Sequence, residues 1–385
     1  MRIANILPIF SLVALFLTGC GDDSAQPDPT GGGAGTGTGG SGAGGSGSGG
    51  EGGDGSGAGG GAPLGEPIVA PNEAWTWVPF EDALCANGEP TGIGVNLSDQ
   101  SKNVVIFMMG GGACWNNLTC YQFPTASNLD GYQDAEFQGD AQGFLMTSLF
   151  DRNDPENPFR DYSLVFVPYC TGDVHAGTKV TEYDGKPTSH VGYNNVTAYL
   201  KRLVPTFPDA ERIFLSGSSA GGFGAGINWW RVQEAFPAAR VDLVDDSGPA
   251  LPDPYLTTSL ANTWRAAWGL DAALPADCAE CATKLDGIFS YYGTKITNQR
   301  AALVSYTRDT VISQFFQISL DSFETGLDLL TTTRLDGQAS FRYFYKEGED
   351  HVLLGDPEIS QNGVVLKQWL RQMVEDDPAW ANVKP

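Results

Sequence analysis

A chain of 385 residues with a formal net charge of -24 is a poor partner for nucleic acid, whose phosphates reward lysine and arginine. The same balance argues against a face that clings to anionic lipid. Beyond an atypical N-terminal stretch, about 320 residues of globular composition can bury a full core, and no second linker or internal repeat divides them.

Residues 1–20 read as an export signal: Arg2 supplies the positive start and Ile3 to Leu17 the apolar core, which is too short for a spanning helix. Leu17-Thr18-Gly19-Cys20 resembles a bacterial lipoprotein signal, so Cys20 is the expected lipidation site. Acyl chains there would hold the protein to the cell envelope, at the outer membrane or cell surface. Residues 21–66, mostly glycine with serine, threonine and alanine between Gly31 and Gly61, read as a flexible tether. Residues 67–385 are the expected single domain.

In that domain Asn103 to Met109 is an apolar run that reads as a strand buried on both faces, ending in Gly110-Gly111-Gly112. Ser163 to Val167 is a second strand. Asn194 to Phe207 has helical spacing, with Val196, Tyr199, Leu200 and Leu203 on one face and Pro205 and Pro208 at its end. Ile213 to Leu215 is a third strand, Phe223 to Phe236 a helix, and Val241 to Val244 a fourth strand. A tryptophan-rich helical region runs from about Tyr255 to Phe289, and Trp229, Trp230, Trp264 and Trp268 are expected in the core. Ala301 to Tyr306 is a strand, Thr310 to Thr333 a helix, Phe341 to Tyr345 the last strand and Val364 to Val374 the closing helix. The alternation predicts an α/β fold, a mostly parallel sheet flanked by helices, with its site at the carboxyl ends of the strands.

Gly217-Ser218-Ser219-Ala220-Gly221-Gly222 is a G-x-S-x-G elbow between a strand and a helix. A serine hydroxyl needs a base, and the chain has three histidines. His175 and His190 precede the elbow; only His351 follows it, as the order serine, acid, histidine requires. Asp309, after a strand and between Ser219 and His351, is the preferred acid; Asp245 and Asp246 are its rivals, and a helix N-cap is its alternative role. Ala220 and the loop residues Gly112 and Ala113 are the expected oxyanion donors. Asp173 and His175 follow a strand end and are expected either to line the site or to serve structure, whereas His190 has no assigned role.

There are seven cysteines, and with Cys20 lipidated six remain, which suggests disulfides. Cys114 and Cys120 are close in sequence, as are Cys278 and Cys281, which leaves Cys85 with Cys170. The Cys278-x-x-Cys281 pair has neither a second such pair nor a nearby histidine to support zinc. No metal and no cofactor are expected.

Together these patches resemble the pectin acetylesterase family, which includes the Notum-like carboxylesterases. The resemblance rests on Gly110-Gly111-Gly112-Ala113-Cys114-Trp115-Asn116, Asn157 to Tyr162 with Val167 to Gly177, the Gly217–Gly222 elbow, and Asp246-Ser247-Gly248. It implies that Ser219, Asp309 and His351 fall on the family's triad, and Gly112, Ala113 and Ala220 on its oxyanion loop and elbow. Cys85, Cys114, Cys120 and Cys170 look like family disulfide positions. Plant and animal members place an aromatic residue directly after the glycines; here that position is Ala113, with Trp115, a candidate substrate contact, two places on. The expected function is a serine esterase that deacetylates an acylated carbohydrate such as pectin, although a chain this acidic repels a polyanion. Longer acyl chains or polyesters are the alternative within the class, and a catalytically inactive, surface-tethered binding lipoprotein is the alternative outside it.

Overall fold

The computed structural model describes residues 64–385; the expected signal, Cys20 and the tether as far as residue 63 lie outside the described residues. A hairpin precedes the first expected strand: β1 (Thr76–Leu84) and β2 (Pro90–Asn96) pair antiparallel. Its signal is weak because β2 contains Gly92 and Gly94, poor strand formers. Packing explains the second: a Cβ on Gly94 would lie 2.2 Å from the Phe137 ring.

The chain continues through β3 (Val104–Met108), α1 (Asp134–Ala141) and β4 (Ser163–Val167). A side hairpin follows, β5 (Lys179–Tyr183) with β6 (Lys186–His190), and then α2 (Gly192–Thr206). Next come β7 (Arg212–Ser218), α3 (Ala220–Ala235), β8 (Arg240–Asp246), α4 (Thr258–Trp268) and α5 (Gly287–Lys295). The last elements are β9 (Ala301–Tyr306), α6 (Thr310–Phe316), α7 (Leu320–Leu330), β10 (Phe341–Lys346) and α8 (Leu366–Val374).

Eight strands form one sheet in the order β1-β2-β4-β3-β7-β8-β9-β10. From β4 to β10 every neighbouring pair is parallel, and β2 runs against both its neighbours. The expected mostly parallel sheet is therefore present. Alternating side chains feed two apolar layers. Ile213 and Leu215 of β7 join Trp229, Trp268 and Tyr292 on one face, while Phe214 joins Phe159, Tyr162 and Trp369 on the other. The register sets Met108 beside Gly217, Ser218 beside Asp246 and Asp246 beside Val304, which brings the carboxyl ends of β3, β7, β8 and β9 level.

Two expected helices are broken. The tryptophan-rich one stops at Gly269, which is left-handed at φ 67°, and resumes only at α5. The one after β9 breaks at Gln317, φ 59°, and restarts where the Ser319 hydroxyl accepts from Ser322 N–H at 3.1 Å. That serine is a recognisable helix-start signal inside an otherwise continuous apolar pattern. Disulfides join Cys85 to Cys170, Cys114 to Cys120 and Cys278 to Cys281. Among the described residues no helix is long and apolar enough to cross a membrane.

Candidate active site

Ser219 sits between β7 and α3 with φ 59° and ψ -121°, a strained conformation for a residue with a Cβ. Its N–H donates to the Asp246 carbonyl at 2.7 Å, and its carbonyl accepts from Phe223 N–H at 3.1 Å. The turn is pressed against the end of β3: a Cβ on Gly221 would lie 1.9 Å from the Met108 carbonyl oxygen. The small residues of the elbow are thus demanded by sterics, and they leave the serine at the floor of a pocket, 8% exposed.

Asp309 ends the turn after β9 and is fully buried. Its two oxygens divide two tasks. Oδ1 accepts from Val311 N–H and Ile312 N–H, each at 2.9 Å, and so caps α6. Oδ2 lies 2.7 Å from His351 Nδ1. The contact expected of the acid and the alternative helix cap are both present in one side chain. His351 stands on the loop after β10, partly exposed. A carboxylate at Nδ1 holds the proton there and leaves Nε2 as the basic nitrogen.

Neither rival aspartate bonds the His351 ring. Asp246 accepts four hydrogen bonds: Oδ1 from Leu353 N–H (2.9 Å) and Ser247 Oγ (3.2 Å), Oδ2 from Leu354 N–H (3.0 Å) and Ser218 Oγ (2.7 Å). It ties the loop that carries His351 to the strand that carries Ser219. Burial raises its pKa, and the hydrogen bonds from Leu353, Leu354 and Ser218, with the charge of His351, oppose the rise. Asp245 points the other way, beneath α3. Its Oδ1 accepts from Gly248 N–H at 2.9 Å and its Oδ2 has no partner.

The Ala220 amide opens α3 and has no acceptor within the helix. Gly112, at φ 75°, turns the loop after β3 into the pocket. The expectation for Ala113 needs correction: its N–H donates to the Thr125 carbonyl at 3.2 Å, so it is engaged across the loop. Of the three expected donors, Gly112 and Ala220 are the ones whose amides are not engaged across the loop.

Asp173 and His175 do not line the pocket. Asp173 is fully buried and spent on structure, accepting from Thr171 Oγ1 (2.5 Å) and from the N–H groups of His175 (3.1 Å), Gly177 (3.1 Å) and Gly192 (2.7 Å). His175 Nε2 donates to the Met109 carbonyl at 2.8 Å, and burial pushes its pKa down, which keeps the ring neutral. His190 bonds the Thr171 carbonyl at 2.7 Å and the Tyr183 hydroxyl at 3.0 Å. It lies beside Cys114 and Cys120, but the disulfide occupies both sulfurs. Trp115 packs on Trp264 and Phe315, with ring centroids 5.8 and 6.4 Å away, and backs the pocket wall from behind.

The wall itself leaves little mark on the sequence. Trp264 and Trp268, expected in the core, are buried yet face the pocket. Phe223 and Ile227 of α3, Ile288 and Phe289 of α5, and Ile312, Phe315 and Phe316 of α6 complete an almost wholly apolar lining beside Ser219. Its one signal is the apolar run Phe315-Phe316 in the helix that Asp309 caps.

A mostly parallel sheet with a strained serine after β7, and an acid and a histidine on the loops after β9 and β10, defines an α/β-hydrolase-like domain. The model of the pectinacetylesterase family matches residues 76–314, more than half of the chain, and the chain belongs to that family. It is also similar to palmitoleoyl-protein carboxylesterase notum2 of Xenopus laevis, 30% identical over 151 residues, 38% of this chain and 30% of that protein. To palmitoleoyl-protein carboxylesterase NOTUM of Homo sapiens it is 28% identical over 172 residues, 43% of this chain and 34% of the other. To that of Drosophila melanogaster it is 26% identical over 215 residues, 51% and 31%. The chain thus spans about a third of the length of these curated relatives. The family match includes Ser219 and Asp309 and ends before His351, which is linked to Asp309 by the Nδ1 contact.

Proposed function

We propose that this domain is a serine carboxylic-ester hydrolase that forms an acyl-enzyme on Ser219, and that its acyl group is longer than acetyl. Ser219 Oγ attacks the ester carbonyl and passes its proton to His351 Nε2; Asp309 holds the ring and stabilises its charged form. The tetrahedral oxyanion sits between the Gly112 and Ala220 amides. His351 returns the proton to the departing alcohol, and water releases the acid by the same steps in reverse order.

The observation that carries the acyl length is the lining: aromatic and aliphatic side chains from α3, α4, α5 and α6 surround the space beside Ser219. An acetyl group would touch little of it. Each buried methylene adds about 0.8 kcal/mol, or about fourfold in kcat/KM where the pocket accepts it. The names of the relatives, carboxylesterases for a palmitoleoyl-protein, point the same way. A net charge of -24 also disfavours a polyanion such as pectin. A series of p-nitrophenyl esters from acetyl to palmitoyl tests this. Specificity should rise by about tenfold or more from acetyl to a longer optimum; a maximum at acetyl would instead support deacetylation of a carbohydrate.

We also propose that the chain is exported and anchored in the cell envelope through Cys20, on the strength of Leu17-Thr18-Gly19-Cys20. Mass spectrometry of the protein isolated from its native membrane should find lipid on Cys20 as the first residue. An unmodified terminus elsewhere refutes it.

A further inference from the structure

Apart from Ser219, the proposed acyl pocket is almost wholly apolar. Among the described residues, two side-chain atoms of its lining are buried without a hydrogen-bond partner: Asp245 Oδ2 and Trp264 Nε1. A carboxyl in such a setting is costly unless something bonds it. The turn after β8 accounts for only half of it, because Oδ1 alone accepts the Gly248 N–H.

The placement of Asp245 is specific. It pairs with Gly217, two residues before Ser219, on a neighbouring strand about 4.8 Å away. Its carboxyl lies under α3 where two glycines make room. A Cβ at Gly222 would fall 2.5 Å from Oδ1, and one at Gly226 would fall 3.6 Å from Oδ2. Gly226 also lines the pocket, so the unpartnered oxygen, itself closed to water, lies against the pocket wall where a glycine leaves it thin. Burial pushes this carboxyl up to about 8, with the charge of Asp246 adding to the rise, so at neutral pH it carries a proton to donate.

We propose that Asp245 is a polar subsite in the acyl pocket, and that the preferred acyl chain carries a hydroxyl a few carbons from the ester carbonyl, where Oδ2–H donates to it. The proposal rests on the reading that this pocket holds the acyl group. The substrate class is then esters of hydroxylated fatty acids, including polyesters built from them. An unsubstituted chain would enter the same pocket and leave Oδ2 unpaired, which is the usual way such a site discriminates.

The test is a competition between methyl octanoate and its monohydroxylated derivatives, with the hydroxyl moved along the chain, and acid release followed by chromatography. The parent should favour at least one hydroxylated ester by about 5- to 100-fold in kcat/KM. In Asp245→Leu that ratio should fall to near one, whereas Asp245→Asn, which keeps the shape and a donor, should retain part of it. A parent ratio near one at every hydroxyl position overturns the subsite, and so does a preference unchanged in Asp245→Leu. The parent measurement stands even if the leucine variant fails to fold. A parent that hydrolyses plain and hydroxylated esters alike loses only the subsite. A folded parent that hydrolyses neither and takes no fluorophosphonate loses the esterase reading beneath it.

Discussion

Ser219→Ala protein is expected to lose hydrolysis of a p-nitrophenyl ester by on the order of 10⁴- to 10⁶-fold, because the proposed acyl-enzyme forms on the Ser219 hydroxyl. The same substitution should abolish covalent labelling by a fluorophosphonate, while the parent labels at one site. Stability should hardly change, since alanine adopts the φ of 59° with the same strain as serine. Ser219→Gly makes the point more sharply. Glycine tolerates that conformation, so the variant should be equally dead yet more stable by about 1 kcal/mol, read as a rise in Tm. Wild-type turnover in Ser219→Ala would overturn the nucleophile. A folded parent that takes no label would leave the surface-tethered binding module as the better description.

Asp309→Asn is expected to lower kcat by about 10⁴-fold with little loss of stability. The two effects separate because the two oxygens do. An amide donates to His351 Nδ1 where the carboxylate accepted, which forces the wrong tautomer on the ring. Asparagine is nearly as good an N-cap as aspartate, so Oδ1 still receives Val311 and Ile312. Asp309→Ala loses both and should cost about 1 kcal/mol more in stability. Asp246→Asn is the control. Its carboxylate receives two backbone N–H groups and two hydroxyls, so an amide there faces donors with a donor. That variant should be markedly less stable, yet its folded fraction should lose less kcat than Asp309→Asn. The reverse ranking, with both proteins folded, would move the acid role to Asp246. Circular dichroism melts and single-turnover rates on the same preparations give both readouts.

The elbow is legible from its residues alone because its geometry is local. Within six residues the strand must turn into a helix against the end of β3, and only tiny neighbours fit. His351 is legible through scarcity and chain order, since one histidine of three follows the serine. Asp309 is legible in two roles, and its two oxygens make the contacts that both require. The strand pattern is clear where burial on both faces gives unbroken apolar runs, as in β3 and β9. It is faint in β2, where packing against Phe137 selects glycine over a strand former.

Sequence alone therefore determined the parallel sheet and marked the candidate residues above it and their order, because short-range sterics and period leave marks in neighbouring letters. What it could not decide were relations between distant segments. Ala113 loses its amide to a carbonyl twelve residues on, and Asp246 reaches a loop 107 residues away. Trp264 and Trp268 have the same helical spacing whether they fill a core or wall a pocket. Asp245 and Asp246 are adjacent in sequence, yet the pleat turns one toward the apolar pocket and the other toward the histidine loop. Only the folded sheet, by assigning each side chain a face, could give two identical residues such different work.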